Sequence, residues 1–268
     1  IACVGNSSFL EGEEGESILS PRNGDRGDIT LPKSQVDYIK ELAVQGVKIV
    51  LVVTGGSPIA LGEIEEMVDA IIFVWYPGME GGRAVADVLF GDVAPAGKLP
   101  LTFPKSLDQL PAFDDYSMDN RTYRYTTEEP LYPFGFGLSY NTFEYADLAL
   151  AKTEINAGDS LTLSVTVRNT GERTGPEVAQ LYLSDLDASS TVPLNHLVGF
   201  ERVILEPGQS QKLTFTLTPE MMSFFNDEGE LILEAGEFRL EVGGCSPGKR
   251  GQELGAPTPV SAIFQVTS

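Results

Sequence analysis

Histidine occurs once in these 268 residues, tryptophan once and cysteine twice. One imidazole and two distant thiols, Cys3 and Cys245, offer neither the ligand set of a zinc site nor a disulfide framework. Positive charge is also scarce: 18 Lys and Arg stand against 39 Asp and Glu, a formal charge of −21. Such a chain repels phosphate, which argues against nucleic acid and anionic membranes as partners. No apolar run approaches the roughly 18–20 residues of a membrane span. A starting Met and a signal peptide are both missing, and the first residues, Ile1-Ala2-Cys3-Val4, already read as a buried strand. The chain is therefore expected to be the back portion of a longer polypeptide. Its targeting lies outside these residues, with a periplasmic or secreted location left open.

What is present falls into two patterns, as the length of the chain suggests. Residues 1–105 alternate apolar runs with helical periods. Lys48–Val53 and Ala70–Trp75 are nearly continuous in apolar residues, the mark of parallel strands covered on both faces. Between them and Ile1–Val4, Ser34–Gln45 carries Val36, Ile39, Leu42 and Ala43 on one helical face, with Gly46 as its stop. Glu80–Phe90 repeats this through Ala84, Val85, Val88 and Leu89, stopping at Gly91. The order predicts an α/β sandwich, a mostly parallel sheet with helices on both faces. From residue 141 the period is two: Leu161, Leu163, Val165 and Val167 alternate with Thr162, Ser164 and Thr166, and Leu213–Leu217 and Phe238–Val242 do the same. Gly and Pro turns separate these runs, so residues 141–268 predict about seven short antiparallel strands in an immunoglobulin-like β-sandwich. Without a Cys-Trp-Cys pattern, its fibronectin type III-like form is the better description. Residues 106–140, rich in Pro, Asp and aromatics, read as an ordered connector.

The most informative stretch is Phe9 to Ser17. Four carboxylates, Glu11, Glu13, Glu14 and Glu16, fall within six positions, spaced by Gly12 and Gly15 and following the first strand. A Gly-rich loop after a strand lies at the carboxyl edge of the sheet, where α/β proteins build their sites. Crowded carboxylates repel one another, so one of them is expected to keep its proton to higher pH than a free Glu, as an acid catalyst must. A solvated acidic loop or a weak calcium site is the alternative reading of the same residues.

Several motifs in order carry a resemblance. They are Gly24-Asp25-Arg26 leading to Leu31-Pro32, Trp75-Tyr76-Pro77-Gly78-Met79-Glu80-Gly81-Gly82-Arg83-Ala84, and Val88-Leu89-Phe90-Gly91-Asp92. Pro95-Ala96-Gly97-Lys98-Leu99-Pro100 and Leu131-Tyr132-Pro133-Phe134-Gly135-Phe136-Gly137-Leu138-Ser139-Tyr140 follow. Together they resemble the C-terminal portion of glycoside hydrolase family 3 enzymes, the β-glucosidases and β-xylosidases. The resemblance implies an α/β sandwich and a fibronectin type III-like domain here, with an N-terminal barrel absent. It also implies a retaining exo-acting β-glycosidase without cofactor or metal, most simply a β-glucosidase removing terminal non-reducing β-D-glucosyl residues from oligosaccharides or aryl glucosides. A β-xylosidase, or a non-catalytic carbohydrate-binding or assembly module, is the alternative. In such an enzyme the Asp nucleophile belongs to the barrel, the partner of this chain, and the general acid/base Glu belongs to a segment that precedes Gly-Asp-Arg by about ten residues. Counting back from Gly24 selects Glu14, with Glu11 and Glu13 as reserves.

The other conspicuous residues read as structural. Asp25 and Arg26 are expected to pair and fix the base of the acidic loop. Trp75 ends a buried run and is expected to pack. Gly78, Gly81 and Gly82 lack the Lys-Ser/Thr of a phosphate loop and suit a close helix–sheet approach. Tyr123, Arg124 and Tyr125 stand in the connector, where a clamp between the domains is preferred to contact with substrate, and His196 reads as a strand residue without a catalytic set around it. Tyr182, Phe200 and Phe224 stand in core-like contexts, so no exposed aromatic strip is expected. Substrate-binding residues are not assignable from the sequence.

Overall fold

The computed structural model describes residues 1–11 and 26–268, without the side chains of Ser8 and Phe9. Internal contacts gather them into two units: Ile1–Val93 with Phe103–Asp115, and Ala94–Thr102 with Tyr116–Ser268. No helix among the described residues is long and apolar enough to cross a membrane.

The first unit is built on three parallel strands, β1 (Ala2–Gly5), β2 (Val50–Thr54) and β3 (Ala70–Trp75), in the spatial order β1-β2-β3. Between β1 and β2 come the short α1 (Ser8–Glu11) and the longer α2 (Lys33–Val44). A 3-10 turn, Gly62–Met67, separates β2 from β3, and α3 (Gly81–Leu89) follows β3. The α/β architecture expected from the sequence is the observed one. Leu51, Val52 and Val53 of β2 are all buried although they point alternately to the two faces, so the central strand is covered on both. β3 is equally apolar yet half-buried, and Cys3 of β1 is exposed; among the described residues each of these flanking strands has a neighbour on one side only. Of the expected apolar face of α3, Ala84 is exposed.

Two features set the end of β1. Gln35 of α2 grips Gly5 twice, accepting from its N–H at 2.7 Å and donating to its C=O at 2.9 Å. Gly5 itself has φ +131°, and a Cβ there would stand 2.0 Å from the Thr54 carbonyl oxygen, so only glycine lets β1 close on β2 at this point. The Gly81 contact differs from the sequence expectation. A Cβ on Gly81 would meet the Pro77 ring at 2.4 Å, whereas Gly82 faces open space, so the glycine answers to its own turn rather than to a helix–sheet approach.

The second unit is a β-sandwich. After α4 (Thr122–Tyr125) come β4 (Phe143–Leu150), β5 (Glu154–Asn156), β6 (Leu161–Asn169), β7 (Gly175–Asp185), β8 (His196–Leu205) and β9 (Ser210–Leu217). Then follow α5 (Pro219–Met222), β10 (Phe224–Phe225), β11 (Leu231–Ile232), β12 (Gly236–Gly243), α6 (Lys249–Glu253) and β13 (Val260–Thr267). A five-stranded sheet, β5-β13-β12-β7-β8, and a three-stranded sheet, β4-β6-β9, enclose the core, and β10-β11 is a small hairpin. This exceeds the expected seven strands because β5, β10 and β11 are too short to leave a period, and β5 joins β13 in parallel. The alternation in β6 is realised as read: Leu161, Leu163, Val165 and Val167 are buried against Leu181, Leu183, Leu240 and Val242. Phe200 departs from expectation. It is 65% exposed, on the flanking strand β8, whose register against β7 shifts between Leu181 and Tyr182.

Polar groups tie the early segment of this unit to the sandwich. Leu99 exchanges backbone hydrogen bonds with Phe136 and Gly135, both at 2.8 Å. Lys98 reaches Glu177 of β7 at 3.3 Å, and Gln180 donates to the carbonyls of Gly135 and Gly244. Tyr123 stacks on Phe134 with centroids 4.2 Å apart, and its hydroxyl accepts from the Leu197 N–H at 3.1 Å. These contacts hold Tyr123 within this unit.

Candidate active site

The carboxyl ends of β1, β2 and β3 lie side by side: Gly5 pairs with Thr54, and Thr54 with Trp75. Each strand delivers a short polar segment there. After β1 come Asn6 and the turn into α1, which ends on Glu11. After β2 come Gly55, Gly56 and Ser57, and after β3 comes Tyr76.

These segments and Arg26 converge on the Glu11 carboxylate. Arg26 Nη1 lies 3.3 Å from Glu11 Oε1, with the two side chains 10% and 16% exposed. Ser57 Oγ accepts from Arg26 Nη1 at 2.9 Å and donates to the same Oε1 at 3.4 Å. Tyr76 donates its hydroxyl to Oε2. Arg26 Nη2 reaches the carbonyl of Thr30 at 3.3 Å, and so anchors the returning chain. Gly56 makes room for the assembly: a Cβ there would be 2.9 Å from the Tyr76 ring and 3.3 Å from Glu11 Oε2. Partial burial first, and then the Glu11 carboxylate, push the Tyr76 hydroxyl up to about 12, so it stays a phenol throughout the neutral range. At the same edge, the buried Asn6 amide finds no partner among the described residues for Oδ1 or Nδ2. Trp75 adopts a left-handed backbone, φ 55°, at the bulge that ends β3. Its ring packs edge-on against Phe73 at 4.6 Å and Phe103 at 6.1 Å, a packing role as expected.

Of the residues singled out in the sequence, Glu11 and Arg26 are brought together here. Glu13, Glu14 and Asp25 lie outside the described residues. The Arg26 ion pair that the structure describes is made with Glu11. Ser57 and Tyr76 were not foreseen as site residues, although Gly55-Gly56-Ser57 and Tyr76 directly follow apolar strands, which is the signal that finds them. His196, at the start of β8, hydrogen bonds to the Met221 carbonyl at 3.1 Å, and burial pushes its pKa down. The arrangement at Glu11 offers a carboxyl group held at a sheet edge by a guanidinium and two hydroxyls.

Residues 1–140 match the Glycosyl hydrolase family 3 C-terminal domain, and residues 177–246 the Fibronectin type III-like domain. A periplasmic beta-glucosidase of Salmonella typhimurium is 41% identical over 230 residues, which is 81% of this chain and 30% of that protein. A xylan 1,4-beta-xylosidase of Xylanibacter ruminicola is 42% identical over 257 residues, 95% of this chain and 29% of that protein. Among solved structures, a β-glucosidase from Erythrobacter marinus superposes with a TM-score of 0.83 at 34% identity. The superposition covers 99% of this chain and 34% of that one. The Listeria innocua beta-glucosidase in complex with glucose gives a TM-score of 0.81 at 31% identity, over 99% and 36% of the two chains. The chain thus spans about a third of the length of the relatives it matches. It belongs to glycoside hydrolase family 3, and carries that family's C-terminal domain followed by a fibronectin type III-like domain.

Proposed function

We propose that this chain supplies the general acid/base of a retaining exo-acting β-glycosidase of the β-glucosidase type, and that Glu11 is that residue. The observation that carries the reading is the Glu11 carboxyl group, held at the carboxyl edge of the parallel sheet by Arg26, Ser57 and Tyr76. In the first half-reaction its proton passes to the glycosidic oxygen as the C1–O bond breaks and a nucleophilic carboxylate bonds to C1. In the second, the resulting carboxylate takes a proton from the water that attacks C1. Retention requires the two carboxyls about 5–5.5 Å apart. The nucleophile is assigned to a barrel domain that acts together with this chain. Glu14, the choice of sequence spacing, and Glu13 compete for the role in the test below.

The substrate class is a β-linked oligosaccharide or aryl glucoside with a terminal non-reducing β-D-glucosyl residue. A β-xylosidase is the second reading, because the two relatives of nearly equal identity are named for one activity each. The test joins this chain to a family 3 barrel and compares Glu11→Gln, Glu13→Gln and Glu14→Gln on aryl β-glucoside and aryl β-xyloside. Loss of the acid slows poor leaving groups by about 10²–10⁴-fold while a dinitrophenyl glycoside keeps a much faster glycosylation step. Azide then restores turnover and gives a β-glycosyl azide. If Glu14→Gln or Glu13→Gln shows this pattern and Glu11→Gln does not, the role passes to that residue. If none of the three does, the acidic loop is not the acid/base.

A further inference from the structure

We propose that the β-sandwich carries a saccharide-binding cleft of its own, in which Arg124, Asp185, His196, Glu220 and Phe225 take up a neutral saccharide. The inference does not rest on the acid/base reading of Glu11, whose elements belong to the first unit.

All of the cleft's lining belongs to the second unit. β7 ends, and β8 and β12 begin, at one end of the sandwich, and there α4, α5 and the β10-β11 hairpin close around a volume of about 380 Å³. That volume suits a small molecule. Buried Leu183, Met222 and Phe238 supply apolar surface, and Phe225 and Leu231 of the hairpin line the cleft while staying 69% and 50% exposed. Arg124 and Glu220 are both exposed, and neither forms an ion pair among the described residues. The Arg124 guanidinium lies over the Tyr125 ring, 5.9 Å from its centroid. Asp185 Oδ1 accepts from the Asp187 N–H at 3.1 Å. His196 bonds through Nε2 to the Met221 carbonyl at 3.1 Å. A carbonyl only accepts, so Nε2 carries the hydrogen and the neutral ring keeps Nδ1 as an acceptor. Burial first, and the Arg124 charge with it, push the imidazole pKa down, so the ring is neutral at neutral pH. The charges decide the ligand class. An anion that met Arg124 would also meet Asp185 and Glu220, and a cation drawn by those carboxylates would meet Arg124. An apolar ligand would desolvate all three charged groups and return nothing. A sugar hydroxyl both donates and accepts: it gives a hydrogen to a carboxylate or an imidazole nitrogen and takes one from a guanidinium. The C–H face of the same sugar ring covers the exposed Phe225.

The chain holds one histidine and one tryptophan, so a single imidazole resonance reports this cleft and a single indole resonance reports the first unit. The 268-residue chain is titrated with cello- and xylo-oligosaccharides above the pH range in which His196 takes up a proton. The imidazole resonance is expected to move and to saturate at concentrations on the order of millimolar, since few groups make the contact. Phe225→Ser and Arg124→Met each weaken the binding about tenfold, a usual cost for an aromatic or arginine anchor. Free lysine and inorganic phosphate are the charged probes, and they leave the resonance in place. An imidazole resonance unmoved by saccharide overturns the proposal, and so does a response that both variants leave intact. Saturation by lysine or phosphate overturns it as well, because the cleft then selects for charge. Should Phe225→Ser lose the native amide spectrum, Arg124→Met decides alone. The two readings fail separately. A saccharide that moves only the Trp75 indole sinks the cleft and leaves the acid/base reading of Glu11 standing. Saturation at His196, with Glu11→Gln fully active on poor leaving groups in the barrel-joined enzyme, does the reverse.

Discussion

Glu177 is taken almost wholly out of water, at 3% exposure, yet its partners include Lys98 Nζ at 3.3 Å and the Tyr145 hydroxyl at 2.9 Å. Burial pushes its carboxyl up, while Lys98 and Tyr145 pull it back down. A buried pair adds little over a well-packed apolar pair, but removing one partner alone leaves an uncompensated ion and costs about 3–5 kcal/mol. Glu177→Leu is therefore expected to lose about 3 kcal/mol in urea unfolding, and Glu177→Leu with Lys98→Met to recover most of that loss. A double variant no more stable than the single one would show that the pair is not the relevant unit. His196 carries a pH signature of its own. Burial holds its folded-state pKa below the usual 6.5, so in the acidic window the unfolded chain takes up the proton first. Its contribution is complete above about pH 6.5 and is lost as pH falls through the depressed folded value. The stability advantage of wild type over His196→Asn should shrink between about pH 7.5 and about pH 5.5; an advantage that grows on acidification would refute the sign. At this scale the candidate site was half legible. A crowded acidic loop before Gly-Asp-Arg pointed first to Glu14, with Glu11 and Glu13 in reserve, and to a pairing of Asp25 with Arg26, whereas Ser57 and Tyr76 reach Glu11 from 46 and 65 residues away. Only the parallel pairing of three strands brings them to one edge, and side-chain type alone does not announce that.

Among the elements, β3 is unusual in ending on a left-handed tryptophan. A non-glycine residue at φ 55° gives up about 1–2 kcal/mol of backbone energy, while the ring it carries packs against Phe73 and Phe103. The two contributions separate by substitution. Trp75→Ala loses the ring and keeps the strain; Trp75→Gly loses both. Glycine should therefore be more stable than alanine here by about 1 kcal/mol, the reverse of their usual order in a strand. Alanine equal to or better than glycine in thermal unfolding would remove the bulge from consideration. Elements with a long period were the legible ones. The helix over Lys33–Val44 and the strand over Ala70–Trp75 lie within a residue or two of their sequence limits, since apolar spacing records which face is buried. Strands of two or three residues leave no such record. Phe200 was misjudged because an apolar residue on a flanking strand follows the bulge in its register, which composition does not encode.

For the molecule as a whole, a formal charge of −21 on 268 residues implies net self-repulsion in the folded state. Screening relieves it: moving from ~10 mM to ~150 mM sodium chloride shortens the Debye length from about 30 Å to about 8 Å. The unfolding midpoint should rise over that range and then level off, and a midpoint that falls would mean that attractive ion pairs dominate. The change of architecture along the chain was readable, because a period near 3.6 gives way to a period of two. The path by which residues 94–102 join the second unit before residues 103–115 return to the first was not, because a linear sequence does not display interleaving. That path has a temporal consequence. During synthesis, Leu99 emerges well before its partners Gly135 and Phe136, while the first unit is still waiting for residues up to Asp115. At 5–20 residues per second, this stretch of chain spends on the order of seconds outside the ribosome without its final neighbours. A single proteolytic nick, for the same reason, can never release both units whole.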